Sequence, residues 1–325
     1  MLDYIGPFSV AVGSIGVLYL FRYLFRRFIA GGSYKGKERI DGKTVIITGA
    51  NIGIGFHTAR ELAKRGGRII LACRDMEKCE QAKTKILLES IDNKNIVCKK
   101  LDLASLASVR AFAKDINESE SHVEFLINNA GVMMCPKLLT EDGFEMQLGT
   151  NHLGHFLLTH LLLDKLKQSA PSRIVNVSSK AHDMGKINFE DLQSSQNYSS
   201  MRAYAQSKLA NILFTRELAE RLKGTGVTVN VLHPGVIQTD LYRHIYTSWL
   251  GMFMAPFTLV MKTTEQGAQT TLACVLDPRL DHVTGKYFSD CKEKECAPQG
   301  RDDKVAKRLW EVSEKLVKIT YPRPL

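Results

Sequence analysis

Tyr204 and Lys208 stand four residues apart in a stretch, 201–222, whose pattern predicts a helix. Spacing i, i+4 puts both side chains on one helical face. A phenol beside an ammonium is the equipment of a general acid/base working on an oxygen, as needed when the carbon bearing that oxygen gains or loses hydride. Free tyrosine titrates near pH 10, so a phenolate at neutral pH needs a shift of roughly three units, or ~4 kcal/mol. A neighbouring ammonium favours that charged form. A Tyr-x-x-x-Lys pair is common by chance, so its meaning depends on what surrounds it.

A second constellation lies near the start of the chain. Residues 44–48 (TVIIT) form a compact β-branched run, followed by Thr48-Gly49-Ala50-Asn51-Ile52-Gly53-Ile54-Gly55 and an amphipathic stretch to Arg65. A glycine-rich turn between strand and helix is the context a phosphate site requires. Gly49 permits a tight turn, Gly53 lets the backbone approach a pyrophosphate, and Gly55 lets the helix pack near the strand. The helix N-terminus, with Asn51, Ile52 and Ile54 in the same turn, offers unpaired N–H groups to the phosphates. The next strand, 68–73, ends in Arg74-Asp75, where the adenosine ribose of a dinucleotide is expected. An acid there accepts the 2′-hydroxyl of NAD(H); a guanidinium suits the 2′-phosphate of NADP(H). Arg74 comes first, so NADP(H) is expected over NAD(H), with Asp75 as the opposing signal.

The glycine spacing G-x-x-x-G-x-G, followed in order by Asn128-Asn129-Ala130-Gly131, Asn151, Ser178-Ser179 and Tyr204-Ala205-Gln206-Ser207-Lys208, resembles the short-chain dehydrogenase/reductase family. The resemblance covers nearly all of residues 41–320. It is close to the group of retinol dehydrogenases 11 to 14, on 48–55, 71–75, 128–136, 142–146, 151–158, 207–215 and 285–292. It implies Tyr204 as the catalytic acid/base with Lys208 beside it. It implies Ser179 as the hydrogen-bond donor to the substrate oxygen, with Ser178 the rival. Asn151 would hold a water beside the lysine in a proton relay. Asp102 would meet the adenine ring, Asn129, Ala130 and Gly131 would pack beside the cofactor, and Pro234, Gly235 and Thr239 would lie along the nicotinamide. The group resembles NADP-preferring enzymes acting on retinol, retinal and other long apolar aldehydes, held by an N-terminal anchor in the endoplasmic reticulum; one resembling member is mitochondrial. A homodimer is compatible with it.

These residues need a scaffold, and the rest of the pattern supplies one. Strand-like runs at 44–48, 68–73, 96–101, 123–127, 173–178, 227–232 and 285–288 alternate with helix-like stretches, including one from Ser105 to about 116, a long one at 151–167, and closing ones at 201–222 and 303–317. Apolar strands alternating with helices predict an α/β fold, a doubly wound parallel sheet of Rossmann type. A single oxidoreductase domain is expected over 41–325, after a short flexible linker at 31–40.

Residues 5–20 carry no charge, and the apolar pattern continues to about Ile29 around Arg22. A helix there is long enough to span a ~30 Å hydrocarbon core. Arg26 and Arg27 follow the run and Asp3 precedes it, the reverse of a cleaved signal peptide. The expectation is a membrane anchor at 1–30 with the following domain on the cytosolic side. An interfacial helix, a re-entrant hairpin or a targeting peptide are the competing readings.

The net charge of +10 is in part concentrated near that segment. No basic stripe interleaved with aromatics appears, so no nucleic-acid partner is expected. The seven Cys are expected as free thiols in a reducing compartment. His152, His155 and His160 lack a carboxylate at ligand spacing, so no metal is expected and packing roles are. Residues 242–261, with Trp249, Met252, Phe253, Met254, Phe257 and Met261, suit a lipophilic small-molecule substrate such as a retinoid, and contact with membrane lipid as well. Steroid ketones or lipid-derived aldehydes are the alternative substrates. A cofactor-binding scaffold without catalysis is the alternative class, and it predicts a broken Tyr–Lys–Ser set.

Overall fold

In the computed structural model, residues 30–90, 93–237 and 261–319 are described. One sheet of eight strands runs through the molecule in the order β3-β2-β1-β4-β5-β6-β7-β8. The strands are β1 Thr44–Thr48, β2 Arg68–Cys73, β3 Ile96–Lys100, β4 Phe125–Asn128, β5 Ser172–Val177, β6 Val227–His233, β7 Tyr287–Ser289 and β8 Lys292–Lys294. All neighbours pair in parallel except β7 and β8. The principal helices are α1 Gly53–Lys64, α2 Met76–Glu89, α3 Leu106–Ser119, α4 Gly154–Gln168, α5 Ser200–Arg221, α6 Thr264–Leu276 and α7 Asp303–Val317. This is the expected doubly wound Rossmann-type architecture.

Strand periodicity explains why both sheet faces are covered. Ile46, Ile70, Leu126 and Ile174 point to one side, into a core shared with α3, α4, α5 and α7. Val45, Ile47, Ile69, Leu71, Ile127 and Val175 point to the other, against α1, α2 and α6. Successive strand residues face opposite ways, so a strand buried on both sides must be apolar at every position. α7 closes the first layer. Its Trp310 ring lies 4.9 Å from that of Phe156, and the Arg221 guanidinium sits 4.3 Å over the indole.

Three elements were not foreseen. The long helix read at 151–167 begins instead with a π-helical turn, Gly149–Leu153, in which the Gly154 amide donates to the Gly149 carbonyl. α6 starts at a full capping box, Thr263 with Gln266, a signal present in the sequence and not used. β8 is Lys-Glu-Lys, exposed at all three positions. An edge strand made of charges resists edge-to-edge association and carries no apolar signal to read.

The stretch read as a flexible linker lies against the domain. The Tyr34 amide donates to Gln269 on α6, and Arg65 donates to the carbonyls of Gly36 and Glu38. The cysteine expectation needs correction. Cys79 on α2 and Cys98 on β3 form a disulfide with Cα atoms 6.0 Å apart, leaving Cys73, Cys135, Cys274, Cys291 and Cys296 free. A sequence separation of 19 conceals the pair, which meets only because α2 folds back onto β3. The anchor expected at 1–30 falls, but for Ala30, outside the described residues, among which no helix is long and apolar enough to cross a membrane.

Candidate active site

The strand order reverses between β1 and β4, so the crevice at their carboxyl ends is the natural ligand position. The glycine turn sits there. Gly49 adopts φ +64°, and a Cβ on it would stand 2.9 Å from the Ala130 Cβ. A Cβ on Gly55 would come within 2.3 Å of the Gly49 carbonyl oxygen. Gly53 also has positive φ, +58°. Side chains at Gly49 and Gly55 would strike Ala130 and the turn's own backbone, so glycine lets the turn, the Ala130 segment and α1 close on one another and form the backbone-lined cradle a dinucleotide requires. The helix that opens from it agrees. Asp75, Ser105, Ser199, Thr263 and Asp302 cap α2, α3, α5, α6 and α7 with side-chain oxygens. Ile52, the residue before α1, has no such oxygen and is exposed, so the N–H groups of that first turn face the cradle without a side-chain cap. Ile54, by contrast, is buried against Ile237 and Ala268 and holds the turn down. Asn51 is half-buried at the turn's apex.

The Asn128–Gly131 segment locks onto this turn. The Asn129 side chain donates to the Thr48 carbonyl at 2.9 Å, and the amides of Asn129 and Ala130 both donate to the Thr48 hydroxyl at 2.9 Å. Gly131 then passes between two candidate catalytic residues. A Cβ there would lie 3.1 Å from Asn151 Oδ1 and 3.4 Å from Lys208 Nζ.

Lys208 is buried, with Nζ 3.2 Å from the Val177 carbonyl at the end of β5 and 5.7 Å from the centre of the Tyr204 ring. Burial lowers its pKa to about 8, which leaves the ammonium dominant at neutral pH. Ser178 and Ser179 follow Val177 directly, so phenol, ammonium and serine pair share one corner. The two serines differ in kind. The Ser178 hydroxyl is buried and donates to the Lys208 carbonyl at 2.7 Å. The Ser179 hydroxyl is partly open and accepts from the Ala181 amide at 3.2 Å, which leaves its proton for another oxygen.

Asn151 lies in the π-helical turn. Its side chain is spent on protein: Oδ1 accepts from the Val132 amide at 2.8 Å, and Nδ2 donates to the Val132 carbonyl and to Ser207 Oγ. Ser207 in turn donates to the Tyr204 carbonyl. Asn151 therefore ties the segment after Gly131 to the Tyr204 turn of α5.

The remaining candidates separate. Asp102, half-buried at the end of β3, uses Oδ1 to accept from the Ala104 amide. Arg74 is exposed at the end of β2, and Lys100 donates to its carbonyl at 2.6 Å. Asp75 is turned away into α2, where it accepts from the Lys78 amide and pairs with the Lys78 ammonium. Pro234 is buried after β6, and Gly235 has φ +103° with Lys262 packed where a Cβ would go. Thr239 lies outside the described residues, as does the apolar segment from 242 up to but not including Met261.

Residues given no role by the sequence do much of the positioning. Asn128 donates to Thr159 and to Asn176, Asn176 donates to Thr215, and Asn211 donates to the Val177 carbonyl that also receives Lys208. Gln147, fully buried, accepts from the Met134 amide and donates to Tyr198, which donates to the Cys135 carbonyl. That holds Met134 in a left-handed conformation, φ +51°, just beyond Gly131. Local patterning gives no cue for these, because a buried polar residue is identified by its partners.

The side chains of His152, His155, His160 and His233 are buried and held neutral. Burial lowers His152 to about 3 and His155, His160 and His233 to about 4, from an ordinary value of 6.5. The unfolded chain takes up protons near pH 6.5 and the folded chain does not, so their contribution is complete above about pH 6.5 and is lost as pH falls toward 4. Each histidine contributes a slope of at most ~1.4 kcal/mol per pH unit. Urea midpoints measured from pH 7.5 to 4.5 are expected to fall steadily below pH 6.5; a flat series would contradict this.

The comparisons agree with this geometry. Residues 43–248 match the family model described as short chain dehydrogenase. The chain is 51% identical over 316 residues to human retinol dehydrogenase 12, covering 96% of this chain and 99% of that one. It is 52% identical over 327 residues to human retinol dehydrogenase 13, covering 99% and 97%. A crystal structure of an uncharacterized protein from Mycobacterium paratuberculosis aligns with TM-score 0.73 at 38% identity, covering 90% of this chain and all of that one. The Pseudomonas aeruginosa RhlG/NADP active-site complex aligns with TM-score 0.61 at 25% identity, covering 77% and 95%. With a glycine cradle at the sheet's switch point and a Tyr–Lys pair beside it, the chain belongs to the short-chain dehydrogenase/reductase family, in the group resembling retinol dehydrogenases 11 to 14, and is an oxidoreductase acting on alcohols or aldehydes.

Proposed function

We propose that this protein is an NADP(H)-dependent oxidoreductase interconverting a lipophilic alcohol and its aldehyde, retinol and retinal foremost. The observation that carries the reading is at the end of β5, where Lys208 Nζ reaches the Val177 carbonyl and lies 5.7 Å from the centre of the Tyr204 ring, and where Ser179, two residues on, keeps its hydroxyl proton. In the reduction direction Ser179 donates a hydrogen bond to the carbonyl oxygen and Tyr204 delivers the proton to it. In oxidation Tyr204 takes the proton from the hydroxyl. Lys208 keeps a buried positive charge near the phenol, favouring its ionised form. When bound, the nicotinamide supplies the hydride donor or acceptor. Gly49, Gly53, Gly55 and the first turn of α1 would hold its pyrophosphate, and Asn129, Ala130 and Gly131 would line its path.

Arg74 supports the 2′-phosphate. The competing acid, Asp75, is committed to the α2 N-terminus and to Lys78, while Arg74 stays exposed at the end of β2. Replacing Arg74 by Leu is expected to raise KM for NADPH about 10- to 100-fold, the worth of a charge-assisted contact, and to leave NADH kinetics nearly unchanged. Equal effects on both coenzymes would remove the assignment.

A lipophilic substrate is supported by the relatives' names and by the surface. Of the exposed large apolar residues among those described, Ile52, Leu138, Leu139, Met184 and Val236 sit on connections leaving the carboxyl edge of the sheet, where the site is, and Met201 lies in the first turn of α5 that follows one of them; Leu88, at the far end of α2, stands apart. Exposed apolar residues gathered at one edge suit an apolar ligand or a lipid surface. Membrane attachment through residues 1–30, with the domain facing the cytosol at the endoplasmic reticulum or, alternatively, a mitochondrial membrane, belongs to the same reading. It rests on the uncharged run at 5–20 and the arginines that follow it. The test of substrate is a panel of all-trans-retinal, a medium-chain aldehyde and a ketosteroid with NADPH and NADH. Turnover of the ketosteroid with none of retinal would overturn the retinoid assignment.

A further inference from the structure

His155 lies in the first turn of α4, directly after the π-helical turn, and is buried. Its Nδ1 is 3.1 Å from the Asn151 carbonyl oxygen and its Nε2 is 2.9 Å from the Thr48 hydroxyl. Counting donors and acceptors determines where the protons are. A carbonyl only accepts, so Nδ1 carries the hydrogen. The Thr48 oxygen already accepts two amides, those of Asn129 and Ala130, each at 2.9 Å. Both lone pairs are used, and the hydroxyl proton must go out to an acceptor. The Ile127 carbonyl lies at 3.4 Å, whereas Nε2 lies at 2.9 Å, so the bare Nε2 takes it.

We propose that His155 is a positioning residue, locking the turn that carries Asn151 to the dinucleotide cradle through one neutral tautomer, with Nδ1–H to Asn151 and Nε2 accepting from Thr48. The inference rests on the reading of this corner as a dehydrogenase site and goes beyond it, since a packing role would not require either ring nitrogen. The chain of bonds runs from the β1 terminus through Thr48 to the Asn129–Ala130 amides on one side. On the other it runs through the imidazole to the backbone of the residue whose side chain orders Val132 and the Tyr204 turn. An imidazolium would place a third donor against Thr48. Burial foremost, and the positive charge of Lys208, oppose that form.

The experiment uses the full chain with [15N]histidine and reads tautomers by two-bond nitrogen–proton correlation. His155→Asn assigns the signal by its disappearance. Asparagine places an N–H near the Nδ1 position and nothing near Thr48. The expected result is the Nδ1–H tautomer from pH 6 to 8, with the Nε2 resonance moving when Thr48→Val removes the hydroxyl and staying in place in Thr48→Ser. NADPH affinity, read by fluorescence without substrate, is expected to weaken about tenfold in His155→Asn, about the worth of one buried hydrogen bond. It should weaken no further in Thr48→Val when His155→Asn is added. An Nε2–H tautomer or an imidazolium at neutral pH, native affinity in His155→Asn, or effects that simply multiply in the double variant would each overturn the proposal. If His155→Asn fails to fold, His155→Gln makes the assignment and the Thr48 pair with native His155 decides through the Nε2 resonance. None of these readings needs turnover, so a wild-type chain inert toward every alcohol and aldehyde would strike the functional reading and leave this one to be judged separately.

Discussion

Tyr204→Phe is expected to lower turnover by about 10²- to 10⁴-fold, the usual contribution of a positioned general acid/base, while NADPH affinity stays within a few-fold. The change deletes one oxygen atom and keeps the ring. Tyr204 is held by its helix: the Asn151–Ser207 hydrogen bonds act on its backbone carbonyl, and its ring is packed in the buried face of α5. Phenylalanine therefore keeps the ring's contacts and loses the proton carrier. Single-turnover mixing with NADPH and an aldehyde is the measurement, paired with fluorescence titration of the cofactor. Wild-type turnover in this variant would remove Tyr204 from the chemistry. Lost cofactor binding together with lost turnover would show that the variant disturbs the site as a whole and does not test the proton step.

Ser179→Ala is expected to cost about 10²- to 10³-fold in turnover, as loss of a donor to a developing oxyanion does elsewhere. Ser178→Ala is expected to leave turnover within several-fold and to lower stability by about 1 kcal/mol. The two hydroxyls are adjacent in sequence and opposite in commitment. Ser178 faces inward and gives its proton to the Lys208 carbonyl; Ser179 faces the open corner and keeps its proton. Strand geometry makes this nearly unavoidable, since neighbouring residues at a strand end point to opposite faces. Steady-state kinetics and urea unfolding on both variants decide it. The reverse pattern, with Ser178→Ala inactive and Ser179→Ala near native, would transfer the role to Ser178.

Much of this protein was legible before any coordinates. β1 and β2 were readable to the residue because both faces of those strands are buried, so residues 45–47 and 69–73 form unbroken apolar runs. The closing helix read at 303–317 has the same bounds in the fold, Asp303–Val317. The glycine turn announced itself because positive φ and close backbone approach select one residue type. Tyr204 and Lys208 were legible because an i, i+4 pair on a helix is a local relation.

What folding alone decided concerns relations between distant segments. Sequence spacing does not bring Cys79 to Cys98, does not turn Asp75 away from the end of β2 into a helix cap, and does not insert a π-helical turn before α4. Nor does it show that Asn151 spends its amide on Val132 and Ser207, or that His155 bridges Thr48 to the Asn151 backbone. Apolar periodicity and glycine requirements are properties of a chain segment and its immediate neighbours, so residue order alone carries them. A buried polar atom must find its complement wherever packing places it, and only the three-dimensional arrangement says which of many equivalent donors and acceptors that is.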